Sequence, residues 1–166
     1  MSFLLKVGQE LALDSGSKCK VKHFIGSGGQ GEVYEVTVDN ESYALKWYFN
    51  DQATKDQKEG IRALIKIGKP NDSFLWPINI ATSENSKSFG YIMELRQSEF
   101  KSLFDLMKNR ISPTFHKLDK DTNNLADSFR QLHSKGLCYR EISHGNIFFH
   151  PETSKILICD NDNVGI

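Results

Sequence analysis

Cys19-Lys20-Val21-Lys22-His23-Phe24-Ile25 and Glu32-Val33-Tyr34-Glu35-Val36-Thr37-Val38 alternate apolar with polar residues, the period-two signature of half-buried strands. A third run, over 42–48, follows the same pattern. A glycine-rich turn joins the first pair and Asp39-Asn40 the second, so 19–26, 31–38 and 42–48 are predicted to form a three-stranded antiparallel meander. Residues 1–18 are expected to add a small leading strand or two before a Ser15-Gly16-Ser17 turn. The period then lengthens. Ile61, Leu64 and Ile65 share one face of a helix predicted over 51–67, with Asp51 as N-cap and Gly68-Lys69-Pro70 as its stop. Apolar runs at 74–80 and 89–95 read as two more strands. Beyond them the spacing predicts a short helix over 100–107 and a longer one over about 115–135, where Leu118, Leu125, Phe129 and Leu132 share a face and Gly136 ends it. Two short strands, 147–149 and 155–158, flank a Pro151-Glu152-Thr153-Ser154 turn. The expected class is α+β: a five-stranded antiparallel unit with one helix over 1–95, then a mainly helical unit over 96–166.

Composition narrows the functions. The chain has 166 residues, with 39% hydrophobic and 25% charged residues, ordinary values for a soluble globular protein. Lys plus Arg (21) balances Asp plus Glu (21), so no net basic field draws it to nucleic acid or an anionic membrane. No apolar run approaches the roughly 20 residues that span a bilayer, and Met1-Ser2-Phe3-Leu4-Leu5 is too short for a signal peptide. Cys19, Cys138 and Cys159 are odd in number and widely spaced, which argues against a disulfide framework or a zinc site and for three packed thiols in a reducing cytoplasm. The five histidines show no metal-ligand spacing. Asp160-x-Asp162-x-Val164 brushes a calcium-loop pattern but carries Val164 where an oxygen ligand belongs.

The chemistry lies in four motifs. Gly26-Ser27-Gly28-Gly29-Gln30-Gly31-Glu32-Val33 matches G-x-G-x-x-G-x-V. Such glycines open a helix in dinucleotide-binding folds; here a strand follows them, so the stretch reads as a hairpin laid over phosphates or, more plainly, as a flexible surface hairpin. Tyr43-Ala44-Leu45-Lys46 is close to V-A-I-K, and Tyr139-Arg140-Glu141-Ile142-Ser143-His144-Gly145-Asn146 aligns with H-R-D-L-x-x-x-N. Ile156-Leu157-Ile158-Cys159-Asp160 is an apolar strand ending in an acid where D-F-G is expected. With these four in order, the chain from about Cys19 onward resembles the eukaryotic-like protein kinases. Phe74-Leu75-Trp76-Pro77 and Ile158 to Val164 are similar to a bacterial subgroup. The resemblance implies a kinase-like N-lobe over 1–95 and a partial C-lobe over 96–166, ending just after the D-F-G-equivalent site.

It also implies roles. Gly26, Gly28, Gly29 and Gly31 let backbone N–H groups approach the phosphates of ATP, and Lys46 pairs with phosphate oxygens. Val33 and Ala44 cap adenine from above and Phe148 floors it, with plain core packing as the alternative for all three. Met93 guards the back of the pocket, and Glu94-Leu95-Arg96 is the connector whose backbone groups face adenine. The helix should supply a glutamate to Lys46. Glu59 is the only Glu there, about one position off the apolar register, and a solvated surface residue is the alternative. Asn146 and Asp160 hold Mg²⁺, with Asp162 as the competing carboxylate. Arg140 steadies the loop, and Glu141 orients the acceptor hydroxyl. His144 lies in the same loop, near substrate or at the surface.

Departures from the pattern bear on activity. Glu141 replaces the catalytic aspartate and is one methylene longer; misplacement by about 1 Å can cost on the order of a hundredfold in rate. Ser143 stands where many kinases carry a loop lysine, and Asn161-Asp162 replaces Phe-Gly. The chain ends at Ile166, before the family's activation segment and substrate-binding helices, so exposed apolar surface is expected over 97–166. Three readings follow: an ATP- and Mg²⁺-dependent kinase acting on a Ser/Thr hydroxyl of a protein, with reduced or absent activity in this chain; a pseudokinase-like module that docks a partner; and a small-molecule kinase of related fold.

Overall fold

A computed structural model describes residues 3–140 and 142–165; Glu141 lies outside the described residues. The chain divides into two compact units, Met1–Ile67 with Pro77–Leu95 and Gly68–Trp76 with Arg96–Ile166.

The first unit is a closed barrel. Its strands are β1 (Glu10–Leu13), β2 (Lys18–Ser27), β3 (Gly31–Val38), β4 (Glu41–Tyr48), β5 (Asn79–Thr82) and β6 (Phe89–Glu94), in the order β1-β2-β3-β4-β6-β5. The meander forms as its alternation predicts. The leading strand β1 pairs with both β2 and β5, so the sheet closes with six strands rather than ending open at five. Alternate residues fill the barrel: Tyr34 and Val36 of β3, Leu45 and Trp47 of β4, and Ile92 of β6. Close packing makes Gly31 obligatory, because a Cβ there would strike the Trp47 carbonyl.

Helix α1 spans Lys55–Ile67 and buries Ile61 and Leu64. It starts later than the expected residue 51. Thr54 Oγ1 accepts from Gln57 N at 3.1 Å and so takes the capping role, while Asp51 stays exposed before the helix.

The segment before β1 is tied to β3. Leu4 N donates to Glu32 Oε2 at 2.9 Å, Leu5 N donates to Tyr34 Oη at 3.1 Å, and the Tyr34 hydroxyl donates to the Glu32 carboxylate. Burial, then the hydrogen bond to Glu32, pushes the Tyr34 pKa from 10.0 up to about 12. Burial likewise raises Cys19 from 9.0 to about 11. A group that holds its proton more tightly when folded contributes stability in full below its unfolded pKa and loses it as pH rises through the folded value. Stability should therefore fall as pH rises from about 9 to 12, and Tyr34→Phe should remove the Tyr34 share between 10 and 12, leaving the shares of Cys19, Cys159 and Tyr139. Urea midpoints across this range measure it; an unchanged slope in Tyr34→Phe would refute the assignment.

The second unit contains β7 (Lys101–Ser102), α2 (Leu103–Met107), α3 (Phe115–Ser134), β8 (Cys138–Tyr139), β9 (Ile147–Phe149), β10 (Ile156–Ile158), a 3₁₀ turn (Asn161–Asn163) and β11 (Val164–Gly165). Strands β10, β9 and β7 form one sheet, and β8 pairs with β11. The run at 74–80 does not form one strand. Residues 79–82 are β5, whereas Leu75 N donates to Ile158 O at 3.0 Å and Ile158 N to Ser73 O at 2.7 Å, adding 73–75 alongside β10. Pro77 has no N–H to continue a ladder between the two pieces. The boundary drawn at 95/96 had placed 68–76 in the first unit. They pack in the second: Asn71 Nδ2 donates to Ser128 Oγ at 3.3 Å and Gln131 Oε1 at 3.1 Å, and the Phe74 ring meets Phe129 edge-on.

Helix α2 begins at Leu103 rather than 100, because Ser102 and Asp105 form a capping box there. Helix α3 follows its predicted face, with Leu132 fully buried. Phe104, Met107, Phe115 and Ile142 are exposed, Phe115 at 87%. Cys138 is exposed rather than packed; β8 turns it outward and Tyr139 inward. Among the described residues no helix is long and apolar enough to cross a membrane.

Candidate functional site

In the first unit, strand register brings four expected residues onto one face. Val33 lies opposite Lys46, and Ala44 lies opposite Met93. Directly paired residues, and residues two apart on one strand, share a face. Val33, Ala44, Lys46 and Met93 therefore form a patch on the face turned away from the barrel core. Lys46 is only 5% exposed. Its Nζ donates to Gln30 Oε1 at 2.8 Å and lies 5.6 Å from the centre of the Tyr48 ring.

Gln30 sits in the glycine turn. Gly28 N donates to Gly31 O at 2.9 Å and closes that turn, and Phe49 N donates to Gln30 O at 2.9 Å. A Cβ built on Gly26, Gly28 or Gly29 would meet no atom within 4 Å. Open space in front of this backbone is what a polyanion needs to reach its N–H groups. Glu94 ends β6 with its side chain exposed.

Glu59 does not hold Lys46. Its Oε1 takes an ion pair from Arg62 Nη1 at 2.8 Å, and Arg62 also pairs with Asp14 at 3.0 Å. Glu59 precedes the buried Ile61 by two residues, about 200° around the helix, so it faces outward. Gln57, four residues before Ile61, faces inward and donates from Nε2 to Tyr48 Oη at 3.3 Å.

In the second unit, the hairpin β9–β10 sets the metal candidates side by side. Ile147 pairs with Ile158, and Cys159 N donates to Asn146 O at 2.8 Å, so Asp160 follows at the same end of the hairpin as Asn146. Asp160 has φ 54° and ψ 43°, the left-handed region. For a residue with a Cβ this costs roughly 1–2 kcal/mol, and such strain concentrates at functional sites. Asn161 steadies the next turn. It is fully buried, and its Nδ2 donates to Leu75 O and Ile158 O, both at 2.8 Å. An amide clamp thus stands where the family pattern has Phe. Asp162 is also buried.

Tyr139 stands at the His position of the loop motif, and its hydroxyl donates to Cys159 O. Its pKa is raised, first by burial and then by the Asp160 charge, while the hydrogen bond to Asn146 works the other way. The Tyr139 hydroxyl is thus a common neighbour of both metal candidates. Burial first, then Asp160, pushes the Cys159 thiol up to about 12, so it is not a nucleophile at neutral pH.

Arg140 lies against Gly165, where its guanidinium fills the space a Cβ would need, and its N donates to Asn163 O at 3.3 Å. It is placed to brace the segment after Asp160. The Arg96 guanidinium stacks 4.3 Å from the centre of the Phe148 ring and donates from Nη1 to Phe100 O at 3.0 Å. Ser143 caps its own turn, accepting from Gly145 N at 3.1 Å, and His144 is exposed. Sequence reasoning missed Gln30, Asn161 and Tyr139 as partners of the site. Each makes a side-chain hydrogen bond to a position far along the chain, which leaves no periodic signal.

The protein kinase domain family profile matches residues 19–164, and the chain belongs to that family. Among solved structures, the kinase domain of Mycobacterium tuberculosis PknI superposes with a TM-score of 0.71 at 17% identity, over 97% of this chain and 64% of that one. Vaccinia related kinase 3 superposes with a TM-score of 0.65 at 20% identity, over 98% of this chain and 53% of that one. At these identities the likeness is one of fold, and the chain spans less than two thirds of either structure. No curated protein matches the chain significantly.

Proposed function

We propose that this chain binds ATP with Mg²⁺ and takes part in phosphoryl transfer to a Ser/Thr hydroxyl of a protein substrate in the cytoplasm. The observation that carries this reading is the face shared by Val33, Ala44, Met93 and the buried Lys46, beside a glycine turn with open space before its backbone. Gly26, Gly28, Gly29 and Gly31 would present N–H groups to phosphate oxygens, and Lys46 would add a compact cation. Val33, Ala44 and Met93 would take the base, with the backbone around Glu94 giving it polar contacts. From the second unit, Asn146 and Asp160 offer the oxygen ligands that Mg²⁺ prefers. When bound, Mg²⁺ supplies charge neutralisation at the phosphates. In the second unit Phe148, held by Arg96, keeps the role of base contact that the family resemblance implies. Arg140 would keep the loop in place, and Glu141 would orient the acceptor hydroxyl and accept its proton. The extra methylene of Glu141 favours a slow reaction. Three cysteines without disulfides suit a reducing compartment.

A second reading, a nucleotide-dependent binding module of pseudokinase type, is favoured by Glu59 being committed to Arg62. Two measurements separate them: melting with ATP in the presence and absence of Mg²⁺, and transfer of a γ-phosphate label to protein and to small acceptors. Mg²⁺-dependent stabilisation with label on protein is the expected result. Stabilisation without transfer supports the binding module, and label on small acceptors alone supports a small-molecule kinase. Absence of any nucleotide response rejects the proposal.

A further inference from the structure

We propose that Glu32 is a positioning residue for the glycine turn, and that residues 3–5, bound to it, brace the base of that hairpin from the barrel side. The proposal rests on the reading of the turn and of Val33 as the nucleotide face.

The hairpin needs a brace on its β2 arm. Ser27 pairs with Glu32 and Gly26 with Val33, the last rungs before the turn. Behind them Phe24 pairs with Tyr34, so β2 places two residues where β3 places one, and Ile25 is a bulge. A bulge disrupts the ladder locally. Pairing of β3 with β4 is unbroken from Gly31 to Val38, which leaves the β2 arm as the weakly held one. The segment before β1 reaches both arms across this bulge. The Phe3 ring lies 4.9 Å from the Phe24 ring of β2, and the Phe24 ring meets Tyr34 of β3 edge-on at 5.8 Å. Leu4 N donates to Glu32 Oε2 at 2.9 Å, and Leu5 N donates to Tyr34 Oη, which in turn donates to the same carboxylate oxygen.

Glu32 is 8% exposed. A carboxylate buried to this degree depends on its donors, and bonds to an ionised acceptor are the strong ones. Its bonds to Leu4 and Tyr34 therefore fix the side chain and, through it, the rung it shares with Ser27. The segment that supplies the Leu4 donor is itself anchored. Leu5 is buried in the barrel core, Gly8 N donates to Val21 O at 2.8 Å, and Val21 N donates to Gln9 O at 2.9 Å. Val33 is the next residue along β3 and points to the opposite face, opposite Lys46. Glu32 thus acts on the nucleotide face through the backbone of the hairpin, from the far side of the sheet. Such coupling is reciprocal: a nucleotide that orders the turn also tightens the hold of residues 3–5.

Amide hydrogen exchange followed by NMR, first without nucleotide, tests the brace. Leu4→Pro removes the N–H that reaches Glu32. Exchange at amides of 26–33 should quicken about tenfold in this variant, the factor that loss of a hydrogen bond to a charged group corresponds to. Val7→Ala, at an exposed position of the same segment, should leave exchange unchanged. Glu32→Gln keeps a carbonyl oxygen but not the charge, and should fall between the two. Mg²⁺–ATP titrations then read binding. Leu4→Pro should raise Kd about fivefold, at the low end of usual couplings between sites, and Val7→Ala should leave it within about twofold. In the unaltered chain Mg²⁺–ATP should slow exchange at the Leu4 and Leu5 amides. Melting temperatures check that the variants fold. A segment that only stabilises the barrel would lower the melting temperature while leaving hairpin exchange and Kd as they were, and that result in Leu4→Pro and Glu32→Gln overturns the proposal. If hairpin exchange responds as expected but no form of the chain binds nucleotide, the brace stands and the nucleotide reading of the site fails.

Discussion

Lys46→Met abolishes the rise in melting temperature that Mg²⁺ and ATP give the unaltered chain. A ligand at a hundred times its dissociation constant stabilises the state that binds it by about 2.7 kcal/mol. For a chain of this size that is a shift of roughly 5–10 °C. Lys46 is buried on a strand face among apolar neighbours, and its stem contributes packing as well as charge. Methionine keeps most of that volume and removes the cation, so the fold survives and the phosphate contact does not. Scanning fluorimetry with and without ligand measures both: the ligand-free melting temperatures should be close, and the shift should be confined to the unaltered protein. A variant that keeps the full shift would place nucleotide somewhere other than this face.

Asn161→Ala should lower the stability of the chain by about 2–4 kcal/mol. The carboxamide is fully buried and makes two hydrogen bonds, to the carbonyls of Leu75 and Ile158. Ile158 O keeps its bond from Leu75 N, but Leu75 O loses the Asn161 donor and a small cavity opens. A buried carbonyl left unsatisfied costs about 1–3 kcal/mol, and the cavity adds to it. The urea midpoint should fall with an unchanged m-value. The loss also reaches the chemistry, because the clamp holds the turn that begins at Asp160, whose left-handed backbone persists only while its surroundings impose it. Mg²⁺ dependence of nucleotide binding should weaken beyond what the stability loss explains. An unfolding free energy within about 0.5 kcal/mol of the parent would mean that water satisfies Leu75 O in the variant.

What could be read from the sequence was what repeats along it. The alternation in 19–48 predicts a meander, and it also fixes which side chains share a face, so Val33, Ala44 and Lys46 come together in register. The helix face defined by Ile61 and Leu64 already set Glu59 out of register, and the ion pair with Arg62 is the structural counterpart of that mismatch. Contacts between distant positions were not legible. Closure of the barrel depends on Leu13 meeting Ala81, and no local pattern encodes that pairing. The apolar run at 74–80 looks uniform, yet its two ends join different units because Pro77 interrupts the ladder. The start of α1 depended on which oxygen, that of Asp51 or of Thr54, reaches an N–H in the first turn, and both are good caps by residue type.

The pairing of β1 with β5 has a bearing on how other macromolecules can engage the first unit. An open sheet offers a row of unpaired N–H and C=O groups, and many partners bind by laying an extended segment along it. A sheet that returns on itself shortens that row: here β1 covers residues 18–20 of β2 and 81–82 of β5. Recognition along this seam then runs through side chains, so specificity there is written in residues that can change one at a time without disturbing the hydrogen-bond ladder beneath them.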